Sequence, residues 1–184
     1  MTIVFNGTTN SINLGGTVFS GNASGLTDAP AGTILQTVIG TNGESSSSSV
    51  DISSSDTAAP TFFDSNCKVT ITPKQSNSKI LLTWSAQVRV NPSSNGFVGV
   101  WYSANSNMSS PAVVEKARGT LNETVRETDP NYHVWSSWSR IAWDETVSNT
   151  NTRYYNVGGY TASGNIYYGD NGPALQLMAQ EISV

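Results

Sequence analysis

Ile80-Leu81-Leu82-Thr83-Trp84-Ser85-Ala86-Gln87-Val88-Arg89-Val90 is the stretch that decides the fold class. Ile80, Leu82, Trp84, Ala86, Val88 and Val90 alternate with Leu81, Thr83, Ser85, Gln87 and Arg89. A period of two belongs to a strand with one buried face and one largely wet face. At ~3.3 Å per residue the strand runs about 36 Å, longer than most. Upstream, Lys68-Val69-Thr70-Ile71-Thr72 is a shorter strand that Pro73 stops, and Phe62-Phe63 precedes it. Downstream, Pro92 to Gly96 turns the chain into the strand Phe97-Val98-Gly99-Val100-Trp101-Tyr102.

The same reading extends to both ends. Thr33-Ile34-Leu35-Gln36-Thr37-Val38-Ile39 is a first strand, apolar on both faces and therefore expected to be central or interfacial. Gly40 to Ala59 reads as a long Ser-rich loop or a weak edge strand. Val113 to Val125 has a weak helical period broken by Gly119 and Thr residues, and is read as strand and loop. His133 to Trp143, Thr152 to Tyr160, Asn165 to Tyr168 and Ala174 to Ile182 complete the strands. Strands about ten residues apart, broken by Gly, Asn, Ser and Pro, predict an all-β protein: an antiparallel sandwich, jelly-roll-like in layout.

Composition agrees. Only 12% of the 184 residues are charged, and Ser, Thr, Asn and Gly wet the surface instead. Such side chains suit strands and turns and compete with the backbone inside helices. A net charge of -4 with scattered Lys and Arg argues against nucleic acid as a partner. No run approaches the ~20 apolar residues of a membrane span, so no membrane insertion is expected. Nor does the N-terminus have the basic start and apolar run of a signal peptide.

Residues 1–32 form a separate segment ahead of a globular domain over 33–184. Its apolar side chains, Ile3, Val4, Phe5, Ile12, Leu14, Val18, Phe19 and Leu26, stand in short groups between Gly, Asn, Ser and Thr. Ordering about 30 residues costs on the order of 30–60 kcal/mol of backbone entropy. Eight buried apolar side chains return roughly 12–24 kcal/mol. The segment is therefore expected to order only against sister subunits or a docking protein. Ile3, Val4, Phe5, Ile12, Leu14, Val18 and Phe19 are the candidate contacts.

No catalytic, metal or cofactor site emerges. His133 is the single histidine, so a histidine metal cluster is impossible and a Ser-His-Asp triad would rest on it alone. Cys67, the single cysteine, has no local base signature and reads as a small buried or half-buried residue. Asp129-Pro130 and Asp170-Asn171-Gly172-Pro173 read as turns. Aromatic residues are concentrated in the C-terminal third: Tyr132, Trp135, Trp138 and Trp143, then Tyr154, Tyr155, Tyr160, Tyr167 and Tyr168. Core or subunit-interface filling is their first role. Tyr132 and Trp138, with Ser neighbours and loop edges, are the members expected to be exposed and are the candidate glycan contacts.

Several segments resemble the C-terminal heads of short trimeric fibre proteins of tailed bacteriophages, cyanophages among them. Phe19-Ser20-Gly21-Asn22-Ala23-Ser24-Gly25-Leu26-Thr27 resembles the junction before such heads, and Pro30-Ala31-Gly32-Thr33-Ile34-Leu35-Gln36-Thr37-Val38 their first strand. Val69-Thr70-Ile71-Thr72-Pro73-Lys74 followed by Ser76-Asn77-Ser78-Lys79-Ile80-Leu81-Leu82 is the most specific match. Asp144 to Tyr154 is similar to a shared turn, and Leu175 to Ile182 to the last strand with its Glu-Ile ending. The resemblance implies a β-sandwich head, a homotrimer and a place on the virion, assembled in the host cytoplasm. Its partners would be other virion proteins and host surface polysaccharide. The short N-terminal segment also suits a capsid decoration (cement) or head-fibre protein. A glycan depolymerase ranks third, because no carboxylate pair is singled out.

Overall fold

The computed structural model describes residues 29–41, 50–52, 60–64, 67–90, 95–114, 123–126, 135–163, 166–168 and 175–184. At 41, 50–52, 89–90, 95–96, 123–126, 135–138, 162–163 and 166–168 it describes the backbone alone. All the regular elements among these residues are strands, arranged in two antiparallel sheets.

The first sheet is built on β5 (Lys79–Val90), the alternating stretch. One edge of β5 pairs with β12 (Gln176–Ile182) and, further along, with β11 (Ile166–Tyr168). The other edge pairs with β9 (Trp135–Asp144) along nearly the whole strand. Beyond β12 lies β1 (Ile34–Thr41), and beyond β11 lies β2 (Val50–Ile52). The second sheet is built on β10 (Arg153–Ser163) and β6 (Asn95–Ser103), paired from Tyr154↔Ser103 onward. The free edge of β10 takes β3 (Thr61–Phe62) and β4 (Val69–Ile71). That of β6 takes β7 (Ala112–Val113) and β8 (Glu123–Arg126).

The two inner faces close on one core. Ile80, Leu82, Trp84, Ala86 and Val88 from β5, with Leu177 and Ala179 from β12, meet Val69, Ile71, Val98, Val100, Tyr155 and Val157 of the second sheet. The even-numbered positions of β5 are therefore the buried ones, as the alternation predicts, and the chain is an all-β sandwich. Cys67 is fully buried, its Sγ 3.4 Å from the Gly40 carbonyl oxygen. The Trp84 indole N–H is enclosed without a hydrogen-bond partner among the described residues.

The first strand was expected to be central or interfacial, and among the described residues it is not central: β1 lies at the end of its sheet and pairs with β12 alone. Leu35 is buried, whereas Ile34 and Ile39 are exposed. A run that is apolar on both faces shows that both faces favour apolar cover. It says nothing about whether both edges are paired.

Candidate functional site

Where Ala29 joins the sandwich, three distant pieces of chain are tied together by one buried carboxylate. Glu181 continues the inward positions Leu177 and Ala179 of β12, so the alternation carries its side chain inside, where it is fully buried. Its Oε1 accepts hydrogen bonds from the Lys74 amide at 2.7 Å, the Gln75 amide at 3.1 Å and the Ser78 hydroxyl at 2.8 Å. Its Oε2 accepts from Gln36 Nε2 at 2.6 Å, and the same amide group donates to the Thr72 carbonyl. These N–H and O–H donors replace the hydration that the carboxylate loses on burial. Ser183 then latches the start of the domain. Its amide donates to the Thr33 carbonyl, its carbonyl accepts from the Gly32 amide, and its hydroxyl donates to the Pro30 carbonyl.

A second polar group lies at the end of β9, between the sheets. Asp144 Oδ2 accepts from Arg153 Nη2 at 2.7 Å and from the Tyr155 hydroxyl at 2.6 Å. Asp144 Oδ1 accepts from the Thr146 amide and hydroxyl at 2.9 and 2.6 Å. Burial alone would raise the Asp144 carboxyl, but the Thr146 and Tyr155 hydrogen bonds and the Arg153 charge outweigh it and hold the pKa below the ordinary value. Burial, and then the Asp144 charge, push the Tyr155 hydroxyl well above its ordinary value. Arg153 also lies 3.9 Å over the Tyr102 ring, a cation–π contact. Tyr102, Val113, Val114, Asp144 and Thr146 line an open cleft of about 460 Å³. Both Asp144 oxygens are committed within the protein, so the cleft offers a ligand an aromatic edge and an apolar wall.

The third feature is the outer face of the first sheet. All the exposed large apolar side chains of the described residues belong to it: Ile34, Ile39, Ile141, Trp143 and, just past β12, Val184. The ladders align them in rows. Trp143 is opposite Leu81, which faces Gln180 and then Thr37. Ile141 is opposite Thr83, which faces Met178 and then Ile39. Ile34 is opposite Ile182, which faces Lys79. Half-buried Leu81, Met178 and Ile182 lie between them, making a mostly apolar band across β9, β5, β12 and β1 that Thr37, Thr83 and Gln180 interrupt, the Gln180 amide donating to the Thr37 hydroxyl at 3.3 Å.

The residues singled out from sequence are mostly not in these groups. Tyr132, His133, Ile3, Val4, Phe5, Ile12, Leu14, Val18, Phe19 and Leu26 lie outside the described residues, as do Asp129-Pro130 and Asp170 to Pro173. Trp138 lies in β9 opposite Ala86, with its side chain outside the described part. Among the described side chains of β9, the aromatic that reaches solvent is Trp143, 36% exposed, beside Ile141 at 61%. Sequence reasoning missed Glu181, Asp144 and Arg153. Parity was a usable signal for Glu181, which follows the inward positions Leu177 and Ala179 of β12, but not for Asp144, whose alternation on β9 also includes Arg140. No family model and no curated protein matches this chain.

Proposed function

We propose that this chain is a structural subunit of a bacteriophage particle, a homotrimeric tail-fibre-like protein whose head binds host-surface glycan. The observation that carries the reading is a convergence. Four of the segments on which the resemblance to phage fibre heads rests meet at one end of the sandwich. Gln36 of the first, Lys74, Gln75 and Ser78 of the second and Glu181 of the last share one carboxylate. The Asp144–Tyr154 segment joins them through the Lys79–Glu145 ion pair at 2.9 Å and the Thr72–Thr152 hydroxyl contact at 2.9 Å. Residues scattered over the chain thus act as one structural unit, which supports a likeness of fold over a likeness of composition. In this reading residues 1–32 dock the subunit on other virion proteins and the low-charge head does the binding.

The test is adhesion of the purified full chain to host cells and to a panel of envelope polysaccharides, together with its mass in solution. A trimer that adheres supports the reading, and a monomer that ignores both removes it. A second placement, as a cement or head-fibre protein on the capsid, is favoured by the exposed Ile34, Ile39 and Ile141 on one sheet face, which suit an apolar protein partner. A trimer that ignores cells but raises the temperature at which capsids rupture would select that placement.

A further inference from the structure

We infer that residues 25–28, the last before the domain begins at Ala29, lie in the polar cleft beside it and fasten the attachment segment to its own head. The inference rests on the reading of residues 1–32 as an attachment segment and names how that segment meets the domain. The cleft is open and about 580 Å³ in volume. It is lined by Ala29 itself, by Lys74, Ser76 and Asn77 of the turn between β4 and β5, by Thr150 and by Val184.

The chain stub and the cleft wall are both held in place. The Ser183 hydroxyl donates to the Pro30 carbonyl and its amide to the Thr33 carbonyl. The Thr33 amide closes the turn onto the Pro30 carbonyl at 3.1 Å, with Gly32 at a φ of 84°. A residue before proline is held to extended conformations, so Ala29 carries the chain out of this turn along the cleft that it lines. On the opposite wall the Glu181 carboxylate accepts from the Lys74 and Gln75 amides and fixes the turn that presents Lys74. The segment leaving Ala29 therefore meets a preorganised surface.

Charge and pattern select the chain's own segment as the occupant. Asp28 is the only charged side chain of residues 1–32, and Lys74 is the only charged side chain that lines the cleft. Among the described residues Lys74 has no carboxylate partner, since the ion pairs there are Lys79–Glu145 and Arg153–Asp144. Asp28 is one peptide bond from Ala29, so its carboxylate reaches that ammonium with no further chain to order. Side chains two apart in an extended chain share a face. Leu26 therefore turns to the same wall as Asp28, and Thr27 turns to water. Val184, 57% exposed, gives Leu26 an apolar partner on that wall. A sister copy's segment would have to displace one that is tethered at a far higher effective concentration. Residues 1–24 remain to dock on the particle, and the clamp keeps the head from swivelling about them.

The test uses the full chain. Cys67 is its single cysteine and is fully buried, so an introduced cysteine is the accessible thiol. The maleimide labelling rate of Leu26→Cys is compared with that of Thr27→Cys. Both are measured again with Lys74→Glu, and with the charges exchanged in Asp28→Lys/Lys74→Glu. Oxidation of Leu26→Cys/Val184→Cys then shows whose segment fills the cleft. Labelling at 26 is expected to be roughly fivefold slower than at 27, the protection given by an exposed ion pair with one apolar contact. Lys74→Glu should remove that difference, the exchanged pair should restore it, and the disulfide should form within one chain. Equal labelling at 26 and 27, a difference that survives Lys74→Glu, or no disulfide overturns the inference. A disulfide between chains also overturns it, because a sister copy's segment then occupies the cleft. All of this is read on the isolated chain. An unclamped segment on a chain that trimerises and adheres leaves the attachment reading intact, and a clamped segment on a chain that does neither removes that reading alone.

Discussion

The two outer faces of the sandwich solve the same problem in opposite ways. On the second sheet Trp101 projects outward from β6 yet is fully buried, because the chain covers it with its own side chains. Phe62 and Tyr160 each meet its ring edge-on at 6.5 Å, and Phe97 stacks on Tyr160 at 4.6 Å. Gly158 makes the room. A Cβ there would sit 2.8 Å from the Thr61 carbonyl oxygen and 3.1 Å from the Phe62 ring. On the first sheet Ile34, Ile39, Ile141 and Trp143 are left open, and no described part of the chain lies across them. An apolar outward position is thus no sign of an interface by itself. What distinguishes the two faces is whether the described residues supply their own cover.

The contrast can be broken most forcefully at Trp101. Trp101→Ala should cost about 3–5 kcal/mol in urea unfolding, the loss for a large core aromatic; a cost below 1 kcal/mol would mean that this face is not self-covered. Asp144→Asn is expected to cost a similar ~3–5 kcal/mol, because it leaves the Arg153 guanidinium buried without its counter-charge. Gly158→Ala should cost about 1–3 kcal/mol through the clash with Thr61 and Phe62, and an unchanged midpoint would show that β3 yields easily. Titration sharpens the picture between the sheets. Tyr155 has a folded pKa raised well above 10.0, so its contribution is complete below pH 10 and is lost as pH rises toward the folded value. Stability should fall in that range by up to about 1.4 kcal/mol per pH unit, and Tyr155→Phe should flatten that fall. Asp144 acts oppositely, stabilising above its ordinary value of 3.8 and losing that stabilisation as pH drops below it. The smallest effect is expected on the open face. Ile141→Thr should change the unfolding free energy of the dissociated chain by no more than about 0.5 kcal/mol.

Much of the fold was legible because β5 and β12 each show a core on one side only. Period-two alternation then names the buried residues individually, from Ile80 to Val88. The position of β1 was not legible, since the pattern reports what covers a strand's faces and is silent about its edges. Trp101 misleads for a related reason. Its parity with Phe97 marks it as outward, and only contacts with Phe62 and Tyr160, far apart in the chain, make it a core residue. The polar groups were hidden differently. Asp144, Arg153 and Glu181 look like ordinary surface charges until strand parity turns them inward, and their partners come from turns whose approach no local pattern announces. Cys67, read as a small buried or half-buried residue, is fully enclosed.

The latch between Ser183 and residues 30–33 also has a mechanical meaning. Tension applied at Ala29, against a head held elsewhere, runs along the axis of β1. The β1–β12 hydrogen bonds lie perpendicular to that axis, and the ladder extends from Ile34↔Ile182 to Thr41↔Gln176. Such a pull loads the bonds of the ladder together, in shear, where a peeling force would open them singly. The backbone and side-chain bonds of Ser183 hold the near end of that ladder shut. A pull at the start of the domain therefore meets a ladder loaded in shear along its whole length.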